Sequence, residues 1–147
     1  MFFLFFQSIT AQKEKDSLVI KLLPTFGATP LKLNKKYLSE NKDSVQISEF
    51  KFYISDLQIT FSDNSVFTKN ERYNLIDVEN PKSLHLPLCK KNGKVVTRIV
   101  FNIGIDSTTS VSGALTGDLD PINGMYWAWQ SGYINMKMEG KSASCKT

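Results

Sequence analysis

The chain reads as an all-β protein, an antiparallel β-sandwich in a single domain, and three observations lead there. Short apolar or alternating runs recur along the 147 residues, most of them closed by Gly, Pro, Asn or Asp. No segment keeps apolar residues at helical spacing beyond a turn's worth in the region 107–118. The runs are rich in Val, Ile, Phe, Tyr and Trp, which suit a pleated, half-buried surface. About seven runs punctuated by turns are the pattern of a sandwich.

Taken in order, Leu18–Leu23 is a hydrophobic run bounded by Pro24, as in a strand covered on both faces. Residues 26–30 form a loop, 31–36 extend briefly, and 37–44 are polar and turn-like. In Val45–Ile54, Ile47 stands on one phase and Phe50, Phe52 and Ile54 on the other, so a bulge is expected near Ser48–Glu49. Leu57, Ile59 and Phe61 alternate with polar residues, and Asp63-Asn64 turns the chain into Val66–Phe67. Arg72–Val78 is a strand closed by Asn80-Pro81. In residues 82–88, Leu84, Leu86 and Leu88 alternate, which points His85 away from them. Asn92-Gly93 turns into Val95–Ile105, the longest strand-like run. A loop rich in Ser, Thr, Gly and Asp spans 107–123, and loops of that length in compact domains commonly carry function. Asn123-Gly124 then turns into a strand holding both tryptophans, Trp127 and Trp129, whose spacing puts them on one face.

Size and composition narrow the function. The domain, 13–147, is long enough to bury a core without disulfides or metal. The formal charge is +4, but the lysines are scattered, and Lys13–Lys15 and Lys90–Lys91 read as solvated turns. Nucleic acid is excluded as a partner, because it needs a basic stripe with stacking aromatics. Met1 to Gln12 is a short apolar run followed by small and polar residues, the remnant of a secretory signal peptide. It is too short to span a bilayer, so the expectation is an exported protein, periplasmic or extracellular, with no transmembrane segment. Cys89 and Cys145 lie outside any metal-type spacing; a disulfide and a soft-metal role both stay open. No nucleophile elbow, zinc-protease helix or phosphate-cradling glycine loop occurs, so no catalytic residue is assigned. Asp106, Asp118 and Asp120 flank the long loop, and their spacing suits turn chemistry rather than a calcium loop.

The segment Met125-Tyr126-Trp127-Ala128-Trp129-Gln130-Ser131-Gly132-Tyr133-Ile134-Asn135-Met136-Lys137-Met138-Glu139-Gly140 is the most specific of the chain. Phe26-Gly27-Ala28-Thr29-Pro30-Leu31, Phe50-Lys51-Phe52-Tyr53-Ile54-Ser55-Asp56-Leu57, Tyr73-Asn74-Leu75-Ile76-Asp77, Phe101-Asn102-Ile103-Gly104-Ile105-Asp106 and Gly117-Asp118-Leu119-Asp120-Pro121 precede it in order. Together they resemble the signature of the MbnP-like family of bacterial copper-binding proteins, from Leu18 to Gly140. The resemblance implies a Cu(II) site made by imidazole nitrogens. In some relatives a tryptophan oxidised to kynurenine by a partner dihaem enzyme adds a ligand. The tryptophan motif carries over as Trp127 and Trp129, the cofactor-binding candidates, and the single histidine, His85, is the metal candidate. An outer-membrane transport protein is a further partner of this reading. Relatives are expected to continue past Glu139-Gly140 into another strand, so the domain is read as incomplete at its C-terminus, which would leave a sheet edge open. The expected function is a non-catalytic, exported copper-binding protein of bacterial metal handling. The alternative is an interaction module that keeps the sandwich without the metal, its tryptophans serving as an apolar platform.

Overall fold

The computed structural model describes residues 16–129 and 132–144. The signal-peptide reading of Met1 to Gln12 and any pairing of Cys89 with Cys145 fall outside those residues. The strands are β1 (Ser17–Lys21), β2 (Thr25–Phe26), β3 (Thr29–Pro30), β4 (Lys36–Leu38), β5 (Ser44–Phe61), β6 (Val66–Thr68), β7 (Tyr73–Asp77), β8 (His85–Lys90), β9 (Val96–Ile103), β10 (Tyr126–Trp127), β11 (Gly132–Tyr133) and β12 (Met136–Ser142). One short helix, α1 (Ser107–Ser110), and two 3₁₀ turns, Gly117–Leu119 and Pro121–Asn123, lie between β9 and β10.

The spine is β5, an 18-residue strand. It pairs antiparallel with β4, β7 and β6 along one edge and with β12 and β9 along the other. The two sequence runs Val45–Ile54 and Leu57–Phe61 are thus one strand, joined through an irregularity at Ser55–Gln58. Asp56 there takes a φ of 50°, a turn residue's conformation set within a strand. The extra residue returns Leu57 to the face of Ile54, so the apolar phase is restored across the bulge. A second bulge lies where expected: Glu139 pairs Glu49 while Gly140 pairs Ile47, leaving Ser48 as the extra residue.

The second layer is the antiparallel pair β1–β8. Leu18, Ile20, Leu86 and Leu88 from it pack onto Ile54, Leu57, Ile59, Phe61 and Ile76 of the six-stranded sheet. This makes the fold an antiparallel sandwich, as the strand runs implied. Cys89 is half-buried at the same core. The turn at Asn92-Gly93, with both residues at positive φ, carries the chain from the small layer back to the large sheet. Residues 31–35 are not a strand; the short strand β4 begins at Lys36, the last residue expected to extend, and runs on into the stretch expected to turn. Tyr37 anchors it, its hydroxyl accepting from Lys32 N at 2.6 Å and its ring stacked on Phe26.

Strands β9 and β12 run in the same direction and nearly end to end along one edge of β5. The seam lies at Tyr53, whose carbonyl accepts from Gly104 N (2.9 Å) and whose N–H donates to Asn135 O (3.2 Å). Everything from Ile105 to Ile134 is therefore an excursion out of an interrupted edge strand. It folds over the Tyr53 face, opposite the β1–β8 layer, because successive residues of a strand face opposite sides. Ile105, Leu119, Met125 and Tyr133 form its core against Tyr53. Among the described residues, no helix is long and apolar enough to cross a membrane.

Candidate functional site

The excursion is fixed by hydrogen bonds from buried hydroxyls. Tyr53 donates its hydroxyl to Asp118 O (3.0 Å). Tyr133 donates to Leu119 O (2.7 Å) and accepts from Leu115 N (2.8 Å). Burial pushes the Tyr53 phenol well above the usual tyrosine range, aided by Tyr133 and Asp118, so it stays a neutral donor. The three aspartates serve backbone. Asp106 caps α1 by accepting from Thr109 N (3.0 Å), and Asp120 caps the second 3₁₀ turn by accepting from Ile122 N (2.9 Å). Asp118 accepts from Leu75 N on β7 (2.7 Å). The turn chemistry expected of them is what the structure shows, with Asp118 reaching further along the fold than a local turn.

Beside the seam lies a polar network that the sequence did not announce. Tyr73 donates its hydroxyl to Asp106 Oδ2, and the same hydroxyl lies 2.6 Å from Thr109 Oγ1. The Arg72 guanidinium bridges Asp56 Oδ1 (2.8 Å) and Asp106 Oδ2 (3.4 Å), and Asn102 Nδ2 donates to Asp56 Oδ2 (3.0 Å). The Tyr73 hydroxyl first, then the Thr109 donors, hold the Asp106 carboxyl well below the usual carboxylate range. A cleft of about 310 Å³ opens here between Ser55, Asp56, Asn102 and Gly104–Asp106. Arg72 sets its one positive charge against both carboxylates, and the Tyr73, Thr109 and Asn102 donors fix them in place, so the network positions the excursion. Its one local sequence signal was the cap pattern Asp106-Ser107-Thr108-Thr109.

At the far end of the excursion, Tyr126 pairs Tyr133 and Trp127 pairs Gly132. The tryptophan strand is thus a two-residue rung of a small hairpin, with Trp129 beyond it in the turn. Tyr126 and Tyr133 hold the hairpin to the core, their rings 4.9 Å apart. The indoles instead face solvent: Trp127 is 45% and Trp129 76% exposed. They stack on one another, centroids 5.5 Å apart and planes 25° from parallel. The two stacked rings form an exposed apolar patch at the tip of the hairpin.

His85 sits elsewhere. It opens β8 opposite Lys21, exposed, with Nδ1 3.1 Å from Pro81 O and Leu86 beside it buried. Its layer covers the Ile54 face of β5, whereas the tryptophan hairpin is held on the Tyr53 face. The structure brings Trp127 and Trp129 together and does not bring His85 to them. No group of three or more His, Cys, Asp or Glu side chains able to hold a metal occurs among the described residues. Copper(II) prefers several nitrogen or oxygen donors in a tetragonal set. The described residues therefore do not form a self-contained copper(II) centre.

The MbnP family model matches residues 15–147, nearly all of the chain beyond its first residues, and the chain belongs to that family. Comparisons with curated proteins and with solved structures each give no match.

Proposed function

We propose that this member of the MbnP family is an exported, non-catalytic copper-binding protein of bacterial metal handling outside the cytoplasm, whose copper site is completed by a partner. The observation that carries this reading is the stacked, solvent-facing pair Trp127–Trp129 at the tip of a hairpin whose other aromatic residues are held in the core. A chain that needed these rings only for packing would bury them. In the family reading, an oxidised tryptophan becomes a kynurenine that adds a copper ligand, and a dihaem enzyme is the partner that makes it. The exposure of both indoles gives such an enzyme access to either. His85 offers one exposed imidazole, with the Nε2 side of the ring as its donor, since Nδ1 faces Pro81 O. An outer-membrane transport protein would supply the donors that the described residues do not gather.

A second reading has its own support in the separation of His85 from the hairpin. In it, the sandwich is an interaction module and the indole pair is a platform for a partner protein or a sugar ring. Cu(II) calorimetry with electron paramagnetic resonance on the same sample separates the two. Saturable binding with nitrogen hyperfine structure, weakened in His85→Ala, supports copper handling. Weak binding that His85→Ala leaves unchanged favours the module.

A further inference from the structure

The core-facing side of the large sheet continues past the layer that covers it. Ile103 pairs Ile54 and Ile99 pairs Ile59, while Met136 pairs Phe52 and Met138 pairs Phe50. Directly paired residues share a face, so these four, with Phe101 alternating between Ile99 and Ile103, lie on the face that β1–β8 packs against. That layer is only two strands wide and does not reach them. All five are between 45% and 59% exposed. The outer backbone edge of β9 and β12 has no strand partner among the described residues. A long, regular edge with an apolar face is one that folded proteins ordinarily cover or blunt.

We propose that a second copy of this chain covers it, by antiparallel edge-to-edge pairing about a two-fold axis at Ile103. The edge is self-complementary in that register. Counted across the Tyr53 seam, the five apolar positions fall two apart with Ile103 at their centre. Reversal sets Ile103 against its own copy, Phe101 against Met136 and Ile99 against Met138, pairing aromatic with thioether and aliphatic with thioether. The same reversal, chosen on the apolar row alone, sets Arg98 against Glu139 on the other face, once on each side of the axis. Arg98 makes no ion pair among the described residues, and the Glu139 side chain is 56% exposed, paired with Lys137 at 3.3 Å. A like-charge pairing at those positions would have opposed the register; opposite charges support it. Five half-exposed large side chains amount to on the order of 400 Å² of apolar area per copy. With the strand backbone and the opposite-face side chains, that approaches the roughly 800 Å² per partner of a specific interface.

Sedimentation equilibrium of the full chain tests this. The expected result is a concentration-dependent monomer–dimer equilibrium. Arg98→Glu and Glu139→Arg should each weaken it about tenfold, since each creates two like-charge contacts. The double swap, Arg98→Glu with Glu139→Arg, should restore it to near the original value. Hydrogen exchange of the β9 amides should slow as concentration rises. A chain that stays monomeric at all concentrations, or a dimer indifferent to either charge reversal or not rescued by the double swap, overturns the proposal. The former outcome would leave the edge to a strand from an unlike partner.

Discussion

The side chain of Asn135 closes over Gly104 at the point where β9 hands the edge of the sheet to the excursion. A Cβ added at Gly104 would stand 2.8 Å from Asn135 Cγ and 2.9 Å from Oδ1, and Gly104 takes a φ of 104° that L side chains rarely adopt. Asn135 Oδ1 meanwhile accepts from Ile105 N (2.9 Å), and Ser55 Oγ donates to Gly104 O (2.8 Å). The two ends of the excursion are thus tied to each other as well as to Tyr53.

Gly104→Ala should destabilise the protein by about 2–4 kcal/mol, through backbone strain and loss of the Asn135–Ile105 bond. Asn135→Ala should weaken the same closure without the strain, by about 1–2 kcal/mol. Urea unfolding of both variants checks the order, and an equal loss in the two would mean that strain at Gly104 contributes nothing.

Gly140 stands against the bulge at Ser48, where an added Cβ would lie 2.3 Å from Gln46 O and 3.0 Å from Ile47 Cα. The obstacle is backbone, which cannot rotate aside. Gly140→Ala should lower Tm by about 5–12 °C and speed amide exchange from Gln46 to Ile47 while leaving β9 protected. Faster exchange in β9 to the same extent would contradict a local opening of β12.

The excursion's capping network rests on Tyr73. Its hydroxyl is the largest cause of the lowered pKa of Asp106. Tyr73→Phe should therefore raise that pKa toward the ordinary aspartate value, read by a carbon-detected NMR titration of the carboxyl. The backbone cap from Thr109 N remains, so α1 should persist in the variant.

On the face of the sheet around Lys51, Glu49 lies 3.0 Å from Lys51 and 2.8 Å from Lys137. The Lys137 hydrogen bond lowers the Glu49 carboxyl below its ordinary 4.5, with partial burial opposing and Lys51 adding to the shift. A carboxyl whose folded value lies below its unfolded one stabilises the fold above the unfolded value, and this is lost as pH falls through the folded one. Glu49→Gln should thus cost about 0.5–1 kcal/mol at pH 7, with the gap to wild type closing below pH ~4.5. A gap constant down to pH 2 would assign the loss to packing.

How much of this was legible in the sequence differs from element to element, for physical reasons. The bulge at Ser48 could be read because Ile47 and Phe50 stand on opposite phases, a local signal. The bulge at Asp56 was hidden by its own chemistry, since Ser55-Asp56 resembles a turn and split one strand into two. His85 was placed correctly on the outer side of its strand by the alternation of Leu84, Leu86 and Leu88. The tryptophans were drawn as a longer strand because aromatic residues favour strands, yet pairing stops after Trp127 and Gly132. The Tyr73–Asp106–Arg72–Asp56 network joins residues far apart in the chain, and nothing in spacing reveals such contacts. The family match was legible in the order of the motifs, from the Phe26 block to the tryptophan segment.

Because Trp127 and Trp129 are the only tryptophans of the chain, indole emission reports on the hairpin alone. The most direct test of a copper role for this end of the sandwich is a Cu(II) titration of the full chain followed by that emission, with Trp129→Phe and His85→Ala alongside. Because the described residues supply only part of a copper site, quenching that is weak but diminished in Trp129→Phe is the expected result. Emission that copper leaves unchanged, whether or not copper binds at His85, would contradict the assignment of the hairpin to metal handling.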